Sequence, residues 1–175
     1  MKIDLEKVGI IASYFSENIP DLYVTKLLKL FYYLDFISYK MRGSSVTNDT
    51  YYKFPYGPVP MTIKNEIDML IAKDLFGPDF KSQLTGSVKL KSSADTNGRI
   101  VLNENKKYNL TKIAESELKL MACLVETYKN TSTKNISEQT HRETPWLSTS
   151  DYSEISYELA DSLDISKILP NLANK

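Results

Sequence analysis

Three side chains in this sequence have both the chemistry and the placement to suggest acid–base or nucleophilic work: Asp35, Cys123 and His141. Asp35 falls inside the apolar arc of a helical pattern, between Leu28 and Phe31 on the wheel and with Ser38 nearby. A carboxylate there needs donors or a cation, because an unpaired buried charge is strongly destabilising. It can be a structural acceptor for a buried tyrosine, for His141 or for a loop backbone, or it can be an acid or base in a cleft. The structural role carries more weight, and Asp35 with His141 as one buried pair is a specific form of it. His141 is the single histidine, so a metal would need carboxylate partners, and there is no HExxH or paired-histidine spacing. Cys123 is the single cysteine and lies next to Leu124 within a helical repeat, which reads as an inert buried thiol rather than a nucleophile paired with His141. The six glycines are scattered, with no phosphate-binding loop, and no GxSxG or SxxK motif occurs. The residues therefore point away from an enzyme, a metal site or a bound cofactor. A reaction built on Asp35 and His141 is the remote alternative.

The element that must position Asp35 is the stretch from Asp21 to Arg42, DLYVTKLLKLFYYLDFISYKMR. Val24, Leu27, Leu28, Phe31, Leu34 and Met41 recur at steps of three and four, and Leu30 and Ile37 widen that face. Tyr32, Phe36 and Tyr39 add rings to the flanks, so Lys26, Lys29 and Lys40 leave only a narrow wet strip. Such a helix belongs at the centre of a domain, with neighbours on several sides. Its three lysines, Asp35 and Arg42 argue against a membrane span. Asp21 is placed to cap its start and Gly43 to end it in a left-handed conformation.

Bulk composition narrows the function. A chain of 175 residues, 42% hydrophobic, can bury one core, so 1–175 reads as a single domain without repeats or linkers. Lys plus Arg and Asp plus Glu number 22 each, which removes a bulk electrostatic pull toward nucleic acid or an anionic membrane and leaves little repulsion against self-association. One cysteine and an amino terminus without a signal-peptide core fit the reducing cytoplasm.

The remaining chain punctuates itself clearly. Asp4 to Glu17 reads as a first helix with Leu5, Val8, Ile11, Ala12 and Phe15 inward, stopped by Asn18-Ile19-Pro20. Thr50 to Phe54 reads as a strand, and Pro55-Tyr56-Gly57-Pro58-Val59-Pro60 as a rigid bent loop. Tyr52, Tyr56, Gly57, Pro58 and Val59 could present a preorganised apolar contact to a partner, or could pack on the central helix. Met61 to Lys73 is helical, with Pro60 as its first residue and Gly77-Pro78 closing it. Val88 to Lys91 and Arg99 to Leu102 form a hairpin that must lie on the helical body or recruit the Thr50 to Phe54 strand. A helix opened by Leu110-Thr111 runs to Tyr128 on a seam of Ala114, Leu118, Met121, Val125 and Tyr128, and a shorter one capped by Ser132 or Thr133 runs to about Thr140. Pro145 then breaks the helix and Trp146 anchors the loop in the core. Ser148 to Ser153 is polar and exposed, Glu154 to Ser156 extended, Tyr157 to Leu163 a last helix, and ISKILPNLANK either a loosely docked tail or a fraying helix. The expected class is a mainly helical α+β fold: a buried central helix, four or five helices around it, and a small antiparallel sheet.

Four segments together resemble a known family: KLLKLFYYLDF leading to Arg42-Gly43, the YKFPYGPVP loop from Tyr52 to Pro60, THRETPW ending at Trp146, and Ile155 to Leu159. The chain resembles the Panacea domain of SocA-like and GepA-like phage-associated antitoxins, from about Tyr23 to Leu163. Phe54-Pro55 departs from an alanine-tryptophan-lysine type run, and Thr140 stands where a serine is usual. The resemblance implies an antitoxin that neutralises a cognate protein toxin, commonly encoded beside it, by direct binding. It also leaves room for a proteolytic adaptor, or for a phage or plasmid regulator that binds a host protein or DNA.

Overall fold

The computed structural model describes residues 2–84, 88–91, 99–102 and 108–169. Helix α1, Leu5–Asn18, starts where the Asp4 carboxylate accepts the amides of Glu6 and Lys7, at 3.0 and 3.1 Å. It buries Val8, Ile11, Ala12 and Phe15. The central helix α2, Val24–Arg42, begins after Tyr23, not at Asp21, and ends at Gly43 with φ 69°. It is surrounded by α3 (Met61–Phe76), α4 (Glu115–Tyr128), α5 (Thr133–Thr140), strand β2 (Gly57–Pro60) and the 3-10 turns of Tyr157–Ser162. This is a mainly helical α+β fold.

Enclosure on this scale overturns the wet strip. Lys26 and Lys29 are buried, because β2 and the carboxyl end of α4 close over them. Lys26 Nζ reaches the Lys129 carbonyl, 3.4 Å away at the α4 terminus, where the helix dipole favours a cation. Lys40 Nζ donates to the carbonyls of Asp161 and Leu163 at 2.8 and 2.6 Å. Met41, expected on the inner face, is 56% exposed.

The proline-rich segment is strand as well as loop. Strand β1, Tyr51–Phe54, pairs antiparallel with β2 in the register Tyr51 to Pro60 through Phe54 to Gly57, so only Pro55-Tyr56 forms the turn. On its other side β1 pairs with β5, Glu154–Ile155. The order β2-β1-β5 puts β2 at an edge, where Pro58 and Pro60 are tolerated because no further strand needs their missing N–H groups. Strands β3, Val88–Lys91, and β4, Arg99–Leu102, form the expected hairpin but a separate two-stranded sheet, lying against α1 and α3. The loop at 92–98 and the tail at 170–175 lie outside the described residues.

Three boundaries differ from expectation for local reasons. Pro60 caps α3 from outside, and the buried Asp49 carboxylate accepts the Thr62 and Ile63 amides at 3.0 and 2.8 Å. The helix expected from Thr111 is a 3-10 turn, Leu110–Lys112, capped by Asn109; α4 starts at Glu115, where Glu117 accepts the Ala114 amide at 3.0 Å. Ala114 is exposed, and the buried seam runs instead through Leu120, Met121, Leu124, Val125 and Tyr128. Pro145 opens helix α6, Thr144–Leu147, instead of merely ending α5. A short α7, Ile165–Ile168, docks Ile168 and Leu169 into the core.

Candidate functional site

Asp35 is fully buried and saturated with donors. Its Oδ1 accepts the amides of Val46 and Thr47, both at 2.8 Å. Its Oδ2 accepts the Thr47 hydroxyl at 2.5 Å and the Tyr51 hydroxyl at 2.8 Å. Burial raises its pKa, and these donors oppose the rise. The carboxylate thus ties α2 to the loop after Gly43 and to the first residue of β1. His141 is not one of its partners, so the expected pair does not form.

His141 belongs to a different group at the tip of the β1–β2 hairpin. Its ring lies 4.4 Å from that of Trp146, and its Nε2 is buried without a hydrogen-bond partner among the described residues. Burial, followed by the field of Lys29, holds its pKa below the ordinary imidazole value. Trp146 is half-buried; its indole N–H donates to the Phe54 carbonyl at 3.1 Å, and Lys53 Nζ sits 4.2 Å from its ring. Lys53 also donates to the Thr149 carbonyl at 2.9 Å and pairs with Asp151 at 3.2 Å. No hydrogen bond links Cys123, half-buried on α4, to His141 among the described residues.

The hairpin sets the geometry of this face. Gly57 has φ 103°, a conformation that disfavours side chains, and a Cβ there would lie 2.7 Å from Thr140 Oγ1 and 2.9 Å from Lys29 Nζ. Gly57, Pro58 and Val59 are buried, and Tyr52 is half-buried. Of the five residues singled out as a partner contact, only Tyr56 projects outward, 77% exposed. Leu147 and Tyr152, on segments that touch the same hairpin, are 57% and 65% exposed. Beside Tyr56 a cleft of about 290 Å³ opens between α2 and α3, walled by Leu28, Lys29, Phe54, Val59 and Met61.

Two titratable groups here escaped the sequence reading. Lys29 is 1% exposed, and its Nζ donates to the Pro58 carbonyl at 2.9 Å; burial lowers its pKa to about 7. Glu143, the glutamate of THRETPW, accepts from the hydroxyls of Tyr32 and Tyr33 at 3.1 and 2.8 Å. Burial raises its pKa to about 7, and it lines a second cleft of about 340 Å³ with Gln139, Arg142 and Lys167. The adjacent Tyr32-Tyr33 pair was the available signal for Glu143, since two buried hydroxyls need an acceptor.

Residues 27–147 match the model of one protein family, described as antitoxin SocA-like, Panacea domain. The chain belongs to this family. The match covers most of the central helix, the β1–β2 hairpin and the THRETPW segment, so Lys29, Tyr56, Gly57, His141 and Trp146 lie within the Panacea domain, while Thr149, Asp151 and Tyr152 follow it. No curated protein matches the chain. No solved structure matches it either. Among the described residues of this Panacea domain, no group of three His, Cys, Asp or Glu residues is placed to hold a metal ion, and no helix is long and apolar enough to cross a membrane.

Proposed function

We propose that this protein is the antitoxin of a toxin–antitoxin pair and neutralises a protein toxin, encoded by an adjacent gene, through direct binding. Membership of the SocA-like Panacea family carries this reading. The hairpin face supplies the contact. Tyr56 stands out from a turn whose backbone is fixed by two flanking prolines, by pairing to β1 and by the close approach of Gly57 to Thr140 and Lys29. A side chain presented this way loses little freedom on binding, which favours affinity. With Leu147 and Tyr152 it forms an exposed apolar and aromatic patch of the kind that supplies interface anchors. Gly57, Pro58 and Val59 hold the turn from below, and Tyr52 supports it from the strand.

Co-expression with the product of the neighbouring reading frame tests both parts. The wild-type chain should rescue growth and copurify with that product, whereas Tyr56→Ala should fold normally and lose both. Rescue by a folded Tyr56→Ala variant would remove the hairpin from the interface; no rescue or copurification with either neighbour would remove the antitoxin reading.

A further inference from the structure

We infer that Tyr152 is a contact residue for the docking protein, held exposed at a backbone position suited to glycine and at a cost to the stability of the free chain. The inference rests on the proposed docking at the hairpin face and names a residue on which its affinity depends. Tyr152 has φ 60°, in the left-handed region. The other non-glycine residues with positive φ among those described are Asp21 and Asn48, types whose short polar side chains tolerate that conformation. A bulky residue there is an outlier. Two features of the loop demand the conformation. The Ser153 amide donates to the Ser150 carbonyl at 3.1 Å, which makes Tyr152 the third residue of a tight turn, the seat where positive φ selects Gly or Asn. The Tyr152 amide donates to the Lys53 carbonyl at 2.9 Å, while the Lys53 amide donates to the Ser153 carbonyl at 3.0 Å. Two residues thus oppose one on β1, a bulge whose first position is ordinarily glycine.

Within the fold the ring does little to offset this strain. Its one ring contact among the described residues is edge-on to Phe54, with centroids 5.7 Å apart. The residue remains 65% exposed, and its hydroxyl has no hydrogen-bond partner among the described residues. What the bulge achieves is to aim the ring. Side chains alternate along β1, so Tyr52 and Phe54 lie on one face of the sheet, opposite the buried Tyr51. Phe54 is the link: its ring meets that of Tyr152, and it also walls the cleft beside Tyr56. Tyr152 therefore extends the surface of Tyr56 and the cleft across the sheet. Bulges re-aim side chains beside functional sites, and strained backbone clusters at the same places. The partner surface that fits is an apolar pocket with a hydrogen-bonding group at its end, since tyrosine offers a broad ring and a polar tip. Glycine would satisfy both the turn and the bulge, and would leave that surface without its ring.

The test uses the full chain as wild type, Tyr152→Gly and Tyr152→Ala. Each is unfolded in urea, and each is titrated against the purified product of each neighbouring reading frame. Glycine relieves the backbone and removes the ring; alanine removes the ring and keeps a Cβ in the left-handed seat. Tyr152→Gly should be at least as stable as wild type, and should exceed Tyr152→Ala in folding constant by about fivefold or more. Both variants should bind the partner about tenfold or more weakly than wild type. A Tyr152→Gly variant less stable than wild type would overturn the proposal, because the ring would then be retained for the fold. Equal stability of the two variants would do the same, by showing no strain at the seat. Unchanged binding by Tyr152→Gly would remove the contact and leave the antitoxin reading in place. A wild-type chain that binds neither product would remove that reading and the contact with it.

Discussion

Replacing Lys29 by methionine should make the isolated protein more stable at neutral pH, and the gain should vanish in alkali. The unfolded chain holds this amine at its ordinary value of 10.5, and the fold holds it at about 7. Between those two values the unfolded state binds the extra proton, so wild-type stability rises with pH across that window and carries the full penalty below it. At about 1.4 kcal/mol per pH unit the penalty has an upper bound of roughly 4 kcal/mol at pH 7. Methionine fills nearly the same volume but abandons the Pro58 carbonyl, a loss of about 1–3 kcal/mol. The net expectation is a gain of roughly 1–3 kcal/mol near neutrality, turning to a loss above about pH 10. Urea unfolding of wild type and Lys29→Met at intervals between those pH values measures it, with unchanged m-values confirming that only stability has altered. Two stability curves that run parallel across the whole window would refute the reasoning, because they would mean that Lys29 keeps an ordinary proton affinity in the fold.

Glu143 should behave in the mirror sense. Its folded pKa of about 7 lies above the ordinary 4.5, so the folded state binds the extra proton between those values. Wild-type stability should therefore fall as pH rises through that range, and Glu143→Gln should flatten the profile and stabilise by about 1–3 kcal/mol at pH 7.5, measured by thermal melts in matched buffers. Asp35→Ala should destabilise by about 3–5 kcal/mol, since it strands two amides and two hydroxyls in the core; Asp35→Asn should lose less in the same denaturant titration because one carbonyl oxygen remains. Gly57→Ala should lower stability by about 2–4 kcal/mol from backbone strain and from the close approach of Thr140 and Lys29, visible as a fall in Tm, whereas Gly43→Ala meets open space and should lose only the smaller left-handed penalty, about 1 kcal/mol.

Much of the architecture was legible because it is written in local periodicity and punctuation. The repeat of apolar residues from Val24 to Ile37 and the Gly43 stop each act within a turn or two of chain, so their neighbours in sequence suffice to define them. The same holds for the hairpin at Val88–Lys91 and Arg99–Leu102, and for Asp35 as a carboxylate that needed donors. Its partners were not legible as a set. Val46, Thr47 and Tyr51 lie on a loop and a strand whose return path over α2 is fixed only when β1 pairs with β2 and β5.

The sequence by itself determined that one apolar helix would occupy the centre and that a stiff, proline-rich segment would follow it. Tertiary structure decided which polar residues that helix would bury. Lys26 and Lys29 have the same side chain and the same helical periodicity as any solvent-facing lysine. They differ because the end of α4 closes over one and the Gly57–Pro60 strand over the other. Solvation depends on what chain distant in sequence is folded against a residue, and that alone turned an ordinary lysine into a buried amine beside an open cleft.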